Sequence, residues 1–154
     1  MVAMRNSAVR KFALGLLAGC GVFQIGMGLF FIGLRPTMLP EDERFIGLTL
    51  DALAQLSPSL PLWLNRVFVV LGGHIVATGL LIVLTAILLW RHRENLRTAV
   101  ALTMAAGLAS MVLMSAVNFA IHSDFRWLLL LPALAWTVAV LLLAIESRKP
   151  AEGQ

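Results

Sequence analysis

The chain has 154 residues, room for one domain, and 60% of them are hydrophobic while only 13% are charged. With a mean hydropathy of +0.90, that apolar content exceeds what a soluble fold of this size can bury, so lipid must cover the remainder. The net charge of +4 comes from basic residues at the ends of apolar runs, where anionic headgroups meet them. No basic stripe interleaved with aromatics points to nucleic acid.

The first uncharged run covers 12–34. At 1.5 Å per residue it is about 34 Å long, enough to cross the hydrocarbon of a bilayer. Arg5, Arg10 and Lys11 precede it, as they would a secretory signal. The run exceeds the usual apolar core of such a signal and lacks a small-residue cleavage site before Arg35-Pro36, so it reads as a retained anchor. Along it, Gly15, Gly19, Gly26 and Gly33 form a stripe on one helical face that would let a partner helix approach closely. Cys20, the single cysteine, has no partner for an intramolecular disulfide.

The connection 35–62 is the long one. Pro40 followed by Glu41, Asp42 and Glu43 reads as a helix start, with negative charge at the positive end of the dipole. Gly47 and Thr49 read as a break and a new cap. Phe45, Ile46, Leu50, Leu53 and Leu56 recur among polar residues. Two short amphipathic helices are therefore expected on the extracytoplasmic membrane surface, covering the mouth of the bundle.

Three further uncharged runs follow, at 67–90, 98–121 and 127–145. The fold class this predicts is all-α: an integral membrane four-helix bundle with short amphipathic surface helices in its first loop. In the second run Gly72, Gly73 and Gly79, and in the third Gly107 among alanines, offer close-packing surfaces. Short connections around Glu94 and Ser123 make the second, third and fourth helices antiparallel neighbours. Ser123 or Asp124 is expected to cap the fourth helix. That helix carries Pro132 and is rich in leucine, so a kinked helix that faces lipid more than the other three is expected.

Lys and Arg fall unevenly between the two sides of four crossings. One side holds Arg5, Arg10, Lys11, Arg91, Arg93, Arg97, Arg148 and Lys149, the other only Arg35, Arg44, Arg66 and Arg126. The richer side should be cytoplasmic, which puts both termini there.

Polar side chains inside the runs are the candidates for chemistry, because an unpaired polar group in hydrocarbon needs a partner. Gln24, His74, Asn118 and His122 are expected in the outer half of the bundle, with Gln24 about 15 Å, His74 about 10 Å and Asn118 about 5 Å deep at helical rise. One reading makes these four a pocket under the surface helices for a quinone, a lipid headgroup or another small amphiphile. The other makes His74 and Gln24 interhelical glue and His122 a headgroup contact. Axial haem ligation would need both rings at matched depth, and the sequence offsets them by about 10 Å. Met104, Met111 and Met114 read as core filler rather than a copper ladder. No Ser-His-Asp set, phosphate loop, HExxH or carboxylate pair occurs, so the sequence leans away from an enzyme and requires neither metal nor cofactor.

The segment 66–79, in which Arg66 at a helix start precedes Gly72-Gly73 and then Gly79, resembles the small four-helix bacterial inner-membrane proteins of the DoxX-like kind. That likeness implies a fold and a bacterial inner membrane, and no site residue. The leading expectation is a non-enzymatic protein of the lipid bilayer that binds a partner membrane protein, a second copy of itself or a small amphiphile. The alternative is a quinone- or haem-linked redox subunit using His74 and His122. A channel or transporter fits less well, since no charge lies within any run.

Overall fold

The computed structural model describes residues 2–91 and 96–148. The helices are α1 (Val2–Gly33), α2 (Pro40–Ile46), α3 (Leu50–Leu56), α4 (Leu60–Arg91), α5 (Leu96–Gly107), α6 (Leu113–Ala120) and α7 (Arg126–Ser147), with a five-residue π turn, Leu108–Val112, joining α5 to α6. No strand occurs among the described residues. Four stretches, Ala8–Gly33, Leu60–Arg91, Arg97–Ala120 and Arg126–Ser147, are long and apolar enough to cross a membrane. The second starts seven residues before the expected 67, because Pro61 fits the first turn of a helix, where its missing N–H is no loss.

The strongest packing is between α1 and α4, which run antiparallel. Gly21 faces Gly79 and Gly28 faces Gly72, so both helices carry glycine at a spacing of seven along one shared seam. A Cβ added at Gly28 would lie 2.6 Å from the Gly72 carbonyl oxygen, and one at Gly79 would lie 2.7 Å from that of Gly21. The backbones therefore touch directly, the close approach that small residues permit. One heptad further along the same register, Leu14 and Ala86 are both buried. A seven-residue repeat is the period that keeps two helices in contact over this length.

The second layer is built on α7. It packs against α1 on one side and against α5, the π turn and α6 on the other, whereas α4 meets α5 only lightly. Two expectations are corrected here. The second and third spans are not substantial neighbours, because the glycine seam commits α4 to α1. The loop around Glu94 lies outside the described residues. The fourth span is also not the lipid-facing one: 39% of its most apolar stretch is buried, against 17% for α4. Leu129, Pro132, Ala133, Trp136, Ala139, Val140 and Leu143 fill the interior.

Trp136 explains why α5 can come so close. Its indole lies against Gly107, where an added Cβ would overlap the ring. The π turn begins at the next residue, and a π turn inserts one residue and re-aims the face that follows it. Pro132 has no N–H to give the carbonyl four residues back. Beside it, Ser115 donates to the Leu129 carbonyl at 2.9 Å and the Cys20 thiol to the Pro132 carbonyl at 3.5 Å. Both bonds tie the proline region to neighbouring helices.

The Cys20–Pro132 contact also sets relative heights. Six residues from Pro132, α7 has reached its start at Arg126, whereas α1 runs seven residues past the matching position 26 to Gly33. The α1–α4 hairpin thus stands about 10 Å taller than the α6–α7 turn. The helix α2 sits on that step. Ser123 Oγ donates to Glu41 Oε1 at 3.1 Å, and Arg44 pairs with Asp124 at 2.8 Å. Ser123 is therefore used by α2 and by the Phe125 N–H rather than as the cap of the fourth helix, which begins at Arg126 after Phe125 with no side-chain cap.

The loop helices themselves form for local reasons. Pro40 occupies the first turn of α2, and Gly47 ends it at φ 75°, a left-handed conformation that glycine adopts without strain. Thr49 then caps α3 by accepting the Ala52 N–H at 3.2 Å. Arg35 fixes the start of the loop. Its guanidinium stacks 3.5 Å from the centroid of the Phe68 ring, pairs with Asp42 at 2.6 Å and donates to the Pro36 and Thr37 carbonyls.

A candidate binding groove between α1 and α7

The polar residues expected to share one pocket are placed apart. His74 is exposed on α4, and its Nδ1 lies 2.9 Å from the Val70 carbonyl of the same helix. Asn118 is half-buried and donates to the Met114 carbonyl on its own helix at 2.9 Å. His122 is exposed in the α6–α7 turn, where it adopts φ 54°. Only Gln24 of the four is buried, at 2% exposure, on the α1 face that also carries Ala13, Leu17 and Cys20. Among the described residues none hydrogen-bonds its amide. The α4–α1 pairing leaves the outward face of α4, with His74, away from the second layer.

Five hydroxyls follow the same rule. Thr78, Thr85, Thr103, Ser110 and Thr137 each donate to the carbonyl four residues back at 2.7–2.8 Å. Back-bonding of this kind satisfies the side chain within its own helix and frees it from any partner. Among the described residues no three His, Cys, Asp or Glu side chains gather as a metal ion would require.

What the structure does present is a groove. It runs between α1 and α7 with a volume of about 530 Å³. Phe12, Gly15, Leu16, Gly19 and Phe23 line it from α1, and Leu128, Leu131 and Ala135 from α7, with Cys20 and Pro132 also in its lining. From Phe12 to Phe23 it extends about 16 Å along the helix, all within the uncharged run. Apart from the Cys20 thiol its side chains are apolar.

The glycine stripe is what opens it. Nothing lies within 4 Å of a Cβ built at Gly15, Gly19, Gly26 or Gly33. Gly72 belongs to the α1–α4 seam, while Gly73 is as open as the stripe. The seam glycines on α1, Gly21 and Gly28, escaped the sequence reading although they share the spacing of seven found in Gly72 and Gly79. The match of spacing between the two helices was the available signal. Gly107 stands out by its small size, and its partner Trp136 differs from the exposed Trp63, Trp90 and Trp127 at the helix ends by lying in the middle of its run.

No known family, no curated protein and no solved structure matches this chain.

Proposed function

We propose that this is a non-enzymatic membrane protein that holds the apolar portion of a small amphiphile in the groove between α1 and α7, admitted sideways from the bilayer. The carrying observation is the groove itself, an apolar furrow of ligand-site volume on a helix apolar enough to span a membrane, opened by two glycines and flanked by Phe12 and Phe23. The setting is a bacterial inner membrane, a reading that rests on the resemblance of segment 66–79, with both termini cytoplasmic, which the distribution of Lys and Arg supports.

Native mass spectrometry after gentle extraction tests this. Gly19→Leu fills the furrow without meeting any neighbour within 4 Å of its Cβ, so the fold is retained. An amphiphile that accompanies the wild type and is lost from Gly19→Leu is the expected result. A bare wild type, or equal retention by both, overturns the reading.

The open stripe favours a second reading as well, association with another copy of the chain through Gly26 and Gly33. Crosslinking in membranes that is unchanged by Gly26→Leu with Gly33→Leu rules it out.

A further inference from the structure

The loop helix α2 is built inside out for a surface that meets water, and α3 adds an exposed leucine beside it. The acidic groups of α2 turn toward the protein, while Arg44, Asp51 and Gln55 stay exposed. Glu41 is 3% exposed and accepts from Ser123, the Arg35 and Asp42 side chains are 5% and 21% exposed and paired with each other, and Glu43 accepts the Leu50 N–H at 2.9 Å. Outward from the same short segment stand Phe45 at 65% exposure, Ile46 at 50% and Leu56 at 72%. A loop that ended in water would reverse this arrangement, since apolar side chains gain by leaving water and charged ones by entering it.

This patch is continuous with a surface of known character. Leu34 at the end of α1 and Leu62 and Trp63 at the start of α4 are 78%, 62% and 61% exposed, and they belong to the outward faces of two helices apolar enough to span a membrane. A tryptophan at a helix end is the residue expected at headgroup level. Arg44, Asp51 and Gln55 are exposed among these apolar residues, the mixture expected of helices lying at headgroup level. We infer that the outward face of α2 and α3 is a binding surface for outer-leaflet lipid, lying in the headgroup–acyl boundary and carrying the lipid-facing belt of α1 and α4 over the step above the α6–α7 turn. The exposed Arg44–Asp124 pair then lies at the level of the headgroups, where a paired charge is tolerated.

The inference stands independently of the groove. It is tested with single cysteines at Phe45 and Leu56 in a Cys20→Ala background, each carrying an environment-sensitive fluorophore, in the full chain reconstituted into phosphatidylcholine–phosphatidylglycerol vesicles. Both positions are exposed, so neither substitution removes core packing, and the two sit on separate helices. Lipids bearing a nitroxide below the headgroup are compared with aqueous iodide as quenchers. The expected result is a larger loss of emission from the nitroxide lipids than from iodide at both positions. Stronger quenching by iodide places the patch in water and overturns the inference. Protection from both quenchers means that protein covers the patch, which overturns the assignment to lipid.

Discussion

One helix, α1, carries two glycine rows with the same spacing of seven and opposite fates. Gly21 and Gly28 are locked against the backbone of α4, while Gly19, Gly26 and Gly33 face open space. Spacing therefore decides which glycines share a face, but the partner decides what the face does. On α4 a complementary row, Gly72 and Gly79, lets two backbones meet. Against α7 the opposing residues are Leu128, Leu131 and Ala135, whose side chains hold the helices apart and leave a groove.

The largest effect that would break this comparison comes from a single methyl group. Gly28→Ala puts a Cβ against the Gly72 carbonyl and the Val76 backbone nitrogen, and neither backbone can yield without separating the helices. A loss of about 3 kcal/mol is expected, at the upper end of overpacking penalties, and it outweighs the gain of about 0.5–1 kcal/mol that alanine brings to a helix. Gly19→Ala meets nothing, so the helix gain stands alone and the variant is as stable as wild type or more so. Unfolding in mixed micelles by increasing denaturing-detergent fraction reads both. Equal losses for the two variants would mean that the rows are not distinguished by packing.

Gly107→Ala sharpens the same point in the second layer. Here the obstacle is the Trp136 ring rather than backbone, and a side chain can shift where a backbone cannot. The expected loss is about 2 kcal/mol. The double variant Gly107→Ala with Trp136→Leu should lose less than the sum of the singles, since the clash needs both partners. Additive losses would separate Trp136 from Gly107.

At the loop the contact is electrostatic. Asp42→Asn leaves the Arg35 guanidinium stacked on Phe68 without its counter-charge. The expected loss is about 1–2 kcal/mol, below the value for a fully buried charged bond, because Asp42 is partly exposed and solvent screens it. Faster amide exchange confined to α2, with the spans unaffected, is the corresponding local signature.

How much of this was legible in the sequence follows from what each signal measures. Four spans follow from runs without charge, and the loop helices from Pro40, Gly47 and Thr49, because those residues act on their own backbone. The order of helices did not follow. Connection length suggested that the second and third spans pair, yet the seam of Gly21, Gly28, Gly72 and Gly79 holds α4 on α1 instead. Pro132 suggested a helix turned to lipid, yet α7 is the most buried, because Ser115 and Cys20 donate to carbonyls beside the proline. The polar pocket failed for a related reason. His74, Thr78 and Asn118 each find an acceptor one turn back in their own helix, so polarity within a span did not require a shared site.

The smallest expected effect tests that last point most directly. Ser115 is one of few hydroxyls here that bond across helices, and it is 5% exposed. Thr103 is similarly buried, at 7%, but bonds within its helix to Ala99. Ser115→Ala removes a bond between α6 and α7 and leaves the helical bonds of α7 itself untouched. A loss of about 0.6–1.5 kcal/mol is expected, the range for interhelical hydrogen bonds in membranes and for single bonds in general. Thr103→Val removes only a bond that the helix can forgo and keeps the branched shape, so its loss should be smaller. If Thr103→Val proved the costlier of the two, the crossing bond would not be what secures α7, and the burial of its proline would rest on apolar packing around Trp136 alone.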